Sequence, residues 1–266
     1  MGVRALYEAT LAERGYRSDE AQLRAIDALE RCETEWADYK ARRSNALTKL
    51  IRHPPIPRGV YMFGGVGRGK SFLMDCFFQA LPLTRKTRLH FHEFMREVHR
   101  ELQELKGTAN PLQVLGERIA RRFRLICFDE FHVADVTDAM ILHRLLESMF
   151  AHRVSIVTTS NFHPDELYPN GLHRDRILPA IALLKDRLQV VNVDAGTDYR
   201  QLTLAQVKMV HTPLGPEADA AMTDAFERLA EARDEDPVLH IEHRTEDRLR
   251  FGELAGSLAN LSDMGE

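Results

Sequence analysis

From Gly59 onward, the chain alternates short apolar runs with longer stretches in which apolar residues recur at helical spacing. The apolar runs lie at residues 60–63, 87–91, 125–128, 154–158 and 188–193. The stretches between them predict helices at 70–80, 94–105, 112–122, 137–151 and 172–185. Short buried strands that alternate with helices are typical of a parallel sheet covered on both faces. The pattern therefore predicts an α/β fold with a parallel five-stranded sheet and flanking helices.

The chain before Gly59 predicts a helical arm. Ser18 is a candidate N-cap, and the acidic residues Asp19 and Glu20 suit the positive end of a helix dipole. Apolar residues recur at helical spacing as far as residue 50, and the proline-rich segment 53–57 then ends the helix. After Tyr199 the alternation stops, and we expect an amphipathic helix at 218–232 and a short strand at 238–243.

Composition narrows the class of protein. The 266 residues are 44% hydrophobic, which is enough for a buried core and too apolar for a disordered chain. No apolar stretch approaches the roughly 20 residues that cross a bilayer, and no secretory signal is visible. The formal net charge of −4 argues against a surface built wholly for nucleic acid, so there is no strong nucleic-acid signal. The three widely spaced cysteines indicate a reducing compartment and no disulfide framework.

A glycine-rich loop carries the strongest chemical signal. The segment 64–71 matches the phosphate-loop pattern at every fixed position, between an apolar run and a predicted helix. Glycines let the backbone curl so that its N–H groups converge on phosphate oxygens. Lys70 is positioned to reach the β- and γ-phosphates of ATP, and the Ser71 hydroxyl to bind Mg²⁺. The predicted nucleotide-binding residues are Gly64, Gly65, Val66, Gly67, Arg68, Gly69, Lys70 and Ser71.

Polar residues follow the later apolar runs, where the carboxyl ends of parallel strands meet a ligand. Asp129 ends one run and predicts a Mg²⁺ ligand, and Glu130 beside it predicts the base that activates the attacking water. Asn161 follows a run expected to lie beside the phosphate-loop strand, where its amide can contact water or the γ-phosphate. Arg174 is a candidate for offsetting transition-state charge in a neighbouring subunit, and Arg176 is a weaker one.

Several motifs in this order resemble the ZapE family of AAA+-related P-loop ATPases. They are GGVGRGKS, HFHEFM, ICFDEFHVADVTDAMIL, TTSN, LYPNGLHRDRILPAI and DAGTDYR, and the match runs from about residue 5 to about residue 243. The resemblance implies ATP hydrolysis, association with the division protein FtsZ in bacteria, and a cytoplasmic location at or near the inner membrane or division site. It also implies that Asn161 is the sensor, that Arg174 is the finger, and that Arg200 belongs to a further motif of the family.

The C-terminal region departs from that family pattern. Family members continue from a strand like 238–243 into a segment like WFDF and a closing helix, whereas this chain reads TEDRLRFGEL at 245–254 and ends at Glu266. A truncation, a frameshift and a natural short form all fit this difference. We therefore expect a helical arm at 1–53, an AAA+-like ATPase core at 54–200, and a partial lid at 201–266.

Weaker signals leave two interpretations each. His90 and His92 alternate along a predicted strand and are either metal ligands or hydrogen-bonded strand-end histidines. Gln22 either reads adenine or is a solvated helix residue, and Phe94–Met95 form either a pore element or part of the core. A basic cluster suits either a helix C-terminus or nucleic acid: Arg118, Arg121, Arg122 and Arg124.

Together these patterns predict Mg²⁺-dependent ATP hydrolysis coupled to remodelling of a protein partner. A homo-oligomer is expected, because an arginine such as Arg174 makes chemical sense mainly in a neighbouring subunit's site. Two alternatives stay open at this point. One is a DNA-linked ATPase of the helicase-loader type, and the other is a nucleotide-binding protein whose turnover is impaired by the missing lid.

Overall fold

The structure of the chain is a computed structural model, and it describes residues 1–14, 18–43, 54–133, 135–169 and 171–194. Arg200, the predicted helix at 218–232, the predicted strand at 238–243 and the predicted lid at 201–266 lie outside these residues. So does the end of the predicted N-terminal helix beyond residue 43. The division into arm, core and lid therefore remains a prediction.

The described elements alternate as the apolar pattern predicts. The strands are β1 (Gly59–Phe63), β2 (Lys86–His90), β3 (Leu125–Asp129), β4 (Ser155–Ser160) and β5 (Leu188–Asn192). The helices are α1 (Val3–Arg14), α2 (Glu20–Ala41), α3 (Lys70–Ala80), α4 (Phe91–Glu104), α5 (Pro111–Arg122), α6 (Val136–Ala151) and α7 (Leu178–Arg187). Short 3₁₀ turns lie at Pro164–Glu166 and Arg174–Arg176.

The strands form one parallel sheet in the order β2-β3-β4-β1-β5. This order places β4 directly beside the phosphate-loop strand β1, as expected, and separates β1 from β3 by one strand. The predicted fold class, a parallel five-stranded sheet with flanking helices, is confirmed.

Alternate residues of the strands enter two cores, one on each face of the sheet. Val60 and Met62 of β1 pack with side chains of α1, α2 and α3, whereas Tyr61 packs on the other face with side chains of α4 to α7. This alternation is the period-two pattern of a strand buried on both sides. The N-terminal helices are thus part of the core and cover one face of the sheet.

Several elements differ from the sequence prediction. Helix α4 begins at Phe91 rather than at residue 94, so His92 lies on a helix and does not alternate with His90 along a strand. Helix α1 had not been predicted, although Val3, Tyr7 and Leu11 are spaced by four residues and are buried on one face. Asp19, not Ser18, caps α2, because the Asp19 side chain accepts the backbone N–H of Gln22 at 2.7 Å.

The helix predicted at 172–185 begins later, at Leu178. Pro179 lies in the first turn of α7, where its missing N–H costs nothing; further inside a helix its ring would clash with the preceding turn. The residues before it form a turn in which His173 has a φ of 57°. Among the described residues, no helix is both long and apolar enough to cross a membrane.

Candidate nucleotide site

The glycine-rich loop joins the end of β1 to the start of α3. The backbone N–H of Gly64, the first residue of the loop, donates to the carbonyl of Ser160 at the end of β4, at 3.3 Å. Gly67 and Gly69 have φ values of 79° and 76°, a left-handed conformation that glycine adopts without a steric penalty. Lys70 then begins α3, so the positive end of this helix dipole faces the loop.

Lys70 and Ser71 end the loop and begin α3. The Lys70 ammonium donates to the carbonyls of Gly64 and Gly65, at 2.7 and 2.6 Å, and so lies against the loop itself. Ser71 is exposed, and Val66 at the tip of the loop is also exposed. The arrangement brings an ammonium group and a hydroxyl to the N-terminal end of one helix, as phosphate binding requires.

Arg68 and Asp194 form an ion pair at the mouth of the loop. Arg68 Nε lies 3.1 Å from Asp194 Oδ1, and the backbone N–H of Gly65 donates to Asp194 Oδ2 at 3.5 Å. Asp194 lies two residues after the end of β5, which is hydrogen-bonded to β1 along its length. The sequence prediction placed Arg68 in the loop but did not identify Asp194 as its partner.

Gln22 of α2 supports the loop from the side of the N-terminal helices. It is 2% exposed, so the solvated interpretation was wrong. Its Oε1 accepts the Tyr7 hydroxyl at 2.7 Å, and its Nε2 donates to the Arg68 carbonyl at 3.3 Å. The amide thus bridges α1 and the phosphate loop, and both of its polar atoms have protein partners.

Asp129 and Glu130 follow each other at the end of β3 but differ in environment. Asp129 is 9% exposed, whereas the Glu130 side chain is 75% exposed. Glu130 has a φ of 54°, an uncommon conformation for a residue other than glycine. Its backbone N–H donates to Thr159 Oγ1 at 3.1 Å, which fixes the turn against β4. The carboxylate of Glu130 is therefore held near the sheet edge and open to water.

Arg88 of β2 is the direct partner of Asp129. Arg88 Nε lies 2.6 Å from Asp129 Oδ2 and its Nη2 lies 3.3 Å from Oδ1, while Nη1 contacts Asp75 of α3. Burial lowers the pKa of Arg88, but hydrogen bonds to Asp129 and Asp75 outweigh it and raise the pKa above its ordinary value. The sequence prediction did not include Arg88, although it shares the alternating polar side of β2 with His90.

Asn161 and Arg174 lie on segments that follow β4. Asn161 comes directly after the last residue of β4 and is exposed. Arg174 is half-buried and its Nη2 donates to the carbonyl of Asp165 at 2.8 Å, while its Nε is buried without a hydrogen-bond partner among the described residues. Arg176 is exposed beside Asp175. The structure thus ties Arg174 to the turn at Pro164–Glu166.

The weaker sequence signals fall in different places. The rings of His90 and His92 lie 5.6 Å apart, and His90 Nδ1 is 3.9 Å from Glu130 Oε2. Within the described part of the chain, no group of three or more potential ligand side chains could hold a metal ion. Phe94 and Met95 are buried in the core.

The basic cluster at the end of α5 is occupied by structural contacts. Arg121 pairs with Glu117, and Arg118 lies 3.4 Å from Glu101. Arg124 donates to the carbonyl of His152 at the C-terminal end of α6, at 2.9 Å. Of these contacts, the one made by Arg124 fits the interpretation in which the cluster complements a helix end, whereas Arg118 and Arg121 pair with carboxylates.

A family model and individual relatives both match this chain. The model of the AFG1-like ATPase family matches residues 1–260. The chain is 43% identical over 251 residues to "Cell division protein ZapE" of Escherichia coli, which covers 90% of this chain and 67% of that protein. It is 39% identical over 189 residues to "Lactation elevated protein 1 homolog B" of Danio rerio, covering 66% of this chain and 38% of that protein.

Two solved structures match parts of the chain at low sequence identity. The DnaC helicase loader is 12% identical with a TM-score of 0.44, covering 67% of this chain and 93% of that one. AMPPCP-bound DnaA from Aquifex aeolicus is 16% identical with a TM-score of 0.45, covering 82% of this chain and 62% of that one. The family match over nearly the full length decides the assignment: the chain belongs to the AFG1-like ATPase family.

Proposed function

We propose that this chain binds ATP together with Mg²⁺ and hydrolyses ATP to ADP and phosphate. The observation that carries the proposal is the loop between β1 and α3, with Lys70 at the helix start and the β3 acids at the same edge of the sheet. Membership of an ATPase family supports the same reaction.

The side chains near the loop fit a magnesium ion in their chemistry. Mg²⁺ prefers oxygen ligands and is usually held by one or two protein groups together with substrate phosphates. The Ser71 hydroxyl and the Asp129 carboxylate are such ligands. When bound, Mg²⁺ supplies positive charge that offsets the charge of the phosphate oxygens in the transition state.

In the proposed reaction, a water oxygen attacks the γ-phosphorus and the bond from that phosphorus to the bridging oxygen breaks. The water proton passes to the Glu130 carboxylate, which is exposed and held in place through its backbone. The Asn161 amide orients the water, and the Lys70 ammonium offsets charge on the phosphate oxygens. ADP and phosphate leave as products.

The biological role is proposed from relatives. We propose that hydrolysis drives remodelling of a protein partner in cell division, because the Escherichia coli relative is named a cell division protein. FtsZ is the partner that the family resemblance implies, at a cytoplasmic location near the inner membrane. Arg174 acts in this proposal from a neighbouring copy of the chain, which makes a homo-oligomer the active form.

A lysine substitution tests nucleotide binding. Lys70→Ala should abolish the fluorescence change of mant-ATP and ATP consumption, because the substitution removes the loop's ammonium group. Its melting temperature without ligand should stay close to that of the wild type, because the Lys70 side chain is only partly buried at the edge of the loop. Lys106→Ala, at an exposed lysine after α4, is the matched control. Wild-type mant-ATP affinity in Lys70→Ala would contradict the proposed site.

A further inference from the structure

The contact between Arg88 and Asp129 is built from two neighbouring strands. Arg88 lies on β2 opposite Cys127, and His90 lies opposite Asp129. The side chains of Arg88 and Asp129 therefore start two residues apart in register and meet along one face of the β2–β3 pair. Both nitrogens of one edge of the guanidinium meet both carboxylate oxygens, at 2.6 and 3.3 Å. A bidentate pair of this kind fixes the carboxylate plane as well as its position.

A third group completes the cluster. The remaining terminal nitrogen of Arg88 contacts the carboxylate of Asp75, in the second turn of α3. The side chains of Arg88 and Asp129 are 22% and 12% exposed, and that of Asp75 is 49% exposed. One guanidinium therefore faces two carboxylates, and the formal charge of the cluster is negative.

The charge balance of this cluster decides whether Arg88 competes with a metal ion for Asp129 or holds Asp129 in place for it. A lone cation on Asp129 would compete with a metal ion for the carboxylate. Here Asp75 offsets the charge of Arg88, so the negative charge of Asp129 remains available to a cation. Carboxylates that bind metals are themselves commonly held by hydrogen bonds from outer groups, and loss of such a group weakens metal binding.

We propose that Arg88 is a positioning residue that holds the Asp129 carboxylate ready for the Mg²⁺ that accompanies ATP, with Asp75 as its counter-charge. The proposal rests on the proposed function, because it assigns Asp129 to the magnesium ion. It adds that α3, which begins at the phosphate loop, and β3 are joined through one guanidinium at the metal side of the site.

The test measures the affinity for mant-ATP at saturating Mg²⁺ and in EDTA. The magnesium enhancement is the affinity at saturating Mg²⁺ divided by the affinity in EDTA. Arg88→Gln should lower this enhancement about tenfold, or to one if the wild-type value is smaller, while affinity in EDTA stays within about twofold. Arg88→Lys should recover only part of it, because an ammonium group cannot make the bidentate contact. Arg85→Gln, just before the other end of β2, should leave the enhancement unchanged.

A second variant keeps the proposal testable if Arg88→Gln does not fold. Asp75→Asn changes a half-exposed side chain and should lower the enhancement in the same direction by a smaller factor, because Arg88 then loses its counter-charge. An unchanged or increased enhancement in Arg88→Gln or Asp75→Asn would overturn the positioning role, and an increase would identify Arg88 as a competitor of the metal. If the wild type itself shows no mant-ATP binding or no enhancement, the proposed function fails instead.

Discussion

The hydroxyl of Tyr7 and the amide of Gln22 offer a quantitative test of how the N-terminal helices support the phosphate loop. The hydroxyl donates to Gln22 Oε1 at 2.7 Å, and the two residues are 0% and 2% exposed. Removing either polar group leaves its partner buried, where water cannot replace the lost hydrogen bond. The other side of the amide contacts the carbonyl of Arg68 in the loop.

The expected magnitudes follow from this burial. Tyr7→Phe leaves one buried oxygen without its donor, which should cost about 1–3 kcal/mol of unfolding free energy. Gln22→Met leaves the Tyr7 hydroxyl and the Arg68 carbonyl without partners and should cost more. The double variant removes both members of the pair, so its cost should fall below the sum of the single costs by about 1–2 kcal/mol.

Urea unfolding followed by the fluorescence of Trp36 measures these costs. Trp36 is the only tryptophan in the sequence and lies buried in α2, so its signal reports on the N-terminal helices. Tyr168→Phe is the control, because the hydrogen bond from that hydroxyl to the carbonyl of Leu172 is only partly buried, whereas the bond from Tyr7 to Gln22 is buried. We expect the control to cost less than about 1 kcal/mol. A similarly small cost for Tyr7→Phe, or strict additivity in the double variant, would refute the reasoning.

Four further predictions concern the site and the core. Gly69→Ala places a Cβ 2.7 Å from Gln22 Nε2 at a φ of 76° and should lower mant-ATP affinity at least about tenfold. Gly107 is also left-handed but has open space around it, so Gly107→Ala should leave mant-ATP affinity unchanged and lower the unfolding free energy by about 1–2 kcal/mol. Mixing Arg174→Ala with Glu130→Gln subunits should partly restore phosphate release, and no restoration at any ratio would exclude action between subunits. Ellman's reagent at pH 8 should find no reactive thiol in the folded chain and three after unfolding, because all three cysteines are buried: Cys32, Cys76 and Cys127. Burial raises the pKa of Cys32 to about 12, above the roughly 8.5 of an unfolded thiol, so the contribution of Cys32 to the unfolding free energy should be constant below pH 8.5 and fall as pH rises through 9 to 12 in urea titrations.

The fold could be predicted from the sequence because its signals are local. Short apolar runs identify the strands, the helical spacing of apolar residues identifies the helices between them, and the loop glycines identify where β1 meets α3. The boundary errors are local too: Pro179 excluded a helix through the preceding turn, and the spacing of Val3, Tyr7 and Leu11 already indicated α1.

The support around the site could not be predicted in the same way, because it depends on contacts between distant residues. Arg88 meets Asp129 across 41 positions, and Gln22 meets the loop carbonyl of Arg68 across 46. Strand order and register decide which of many charged side chains become neighbours, and the local pattern of a single sequence does not predict either. The chain has 36 lysine and arginine residues, and nothing local distinguishes Arg88 from the others.

Phosphate release from ATP, measured on the full chain beside Glu130→Gln at matched mant-ATP occupancy, tests the proposed ATPase activity most directly. The wild type should release phosphate steadily with Mg²⁺ present, and Glu130→Gln should bind mant-ATP within about threefold of the wild type while its turnover falls at least about 100-fold. Equal and equally slow turnover in both proteins, with nucleotide binding intact, would contradict hydrolysis by Glu130 and would leave a nucleotide-binding protein.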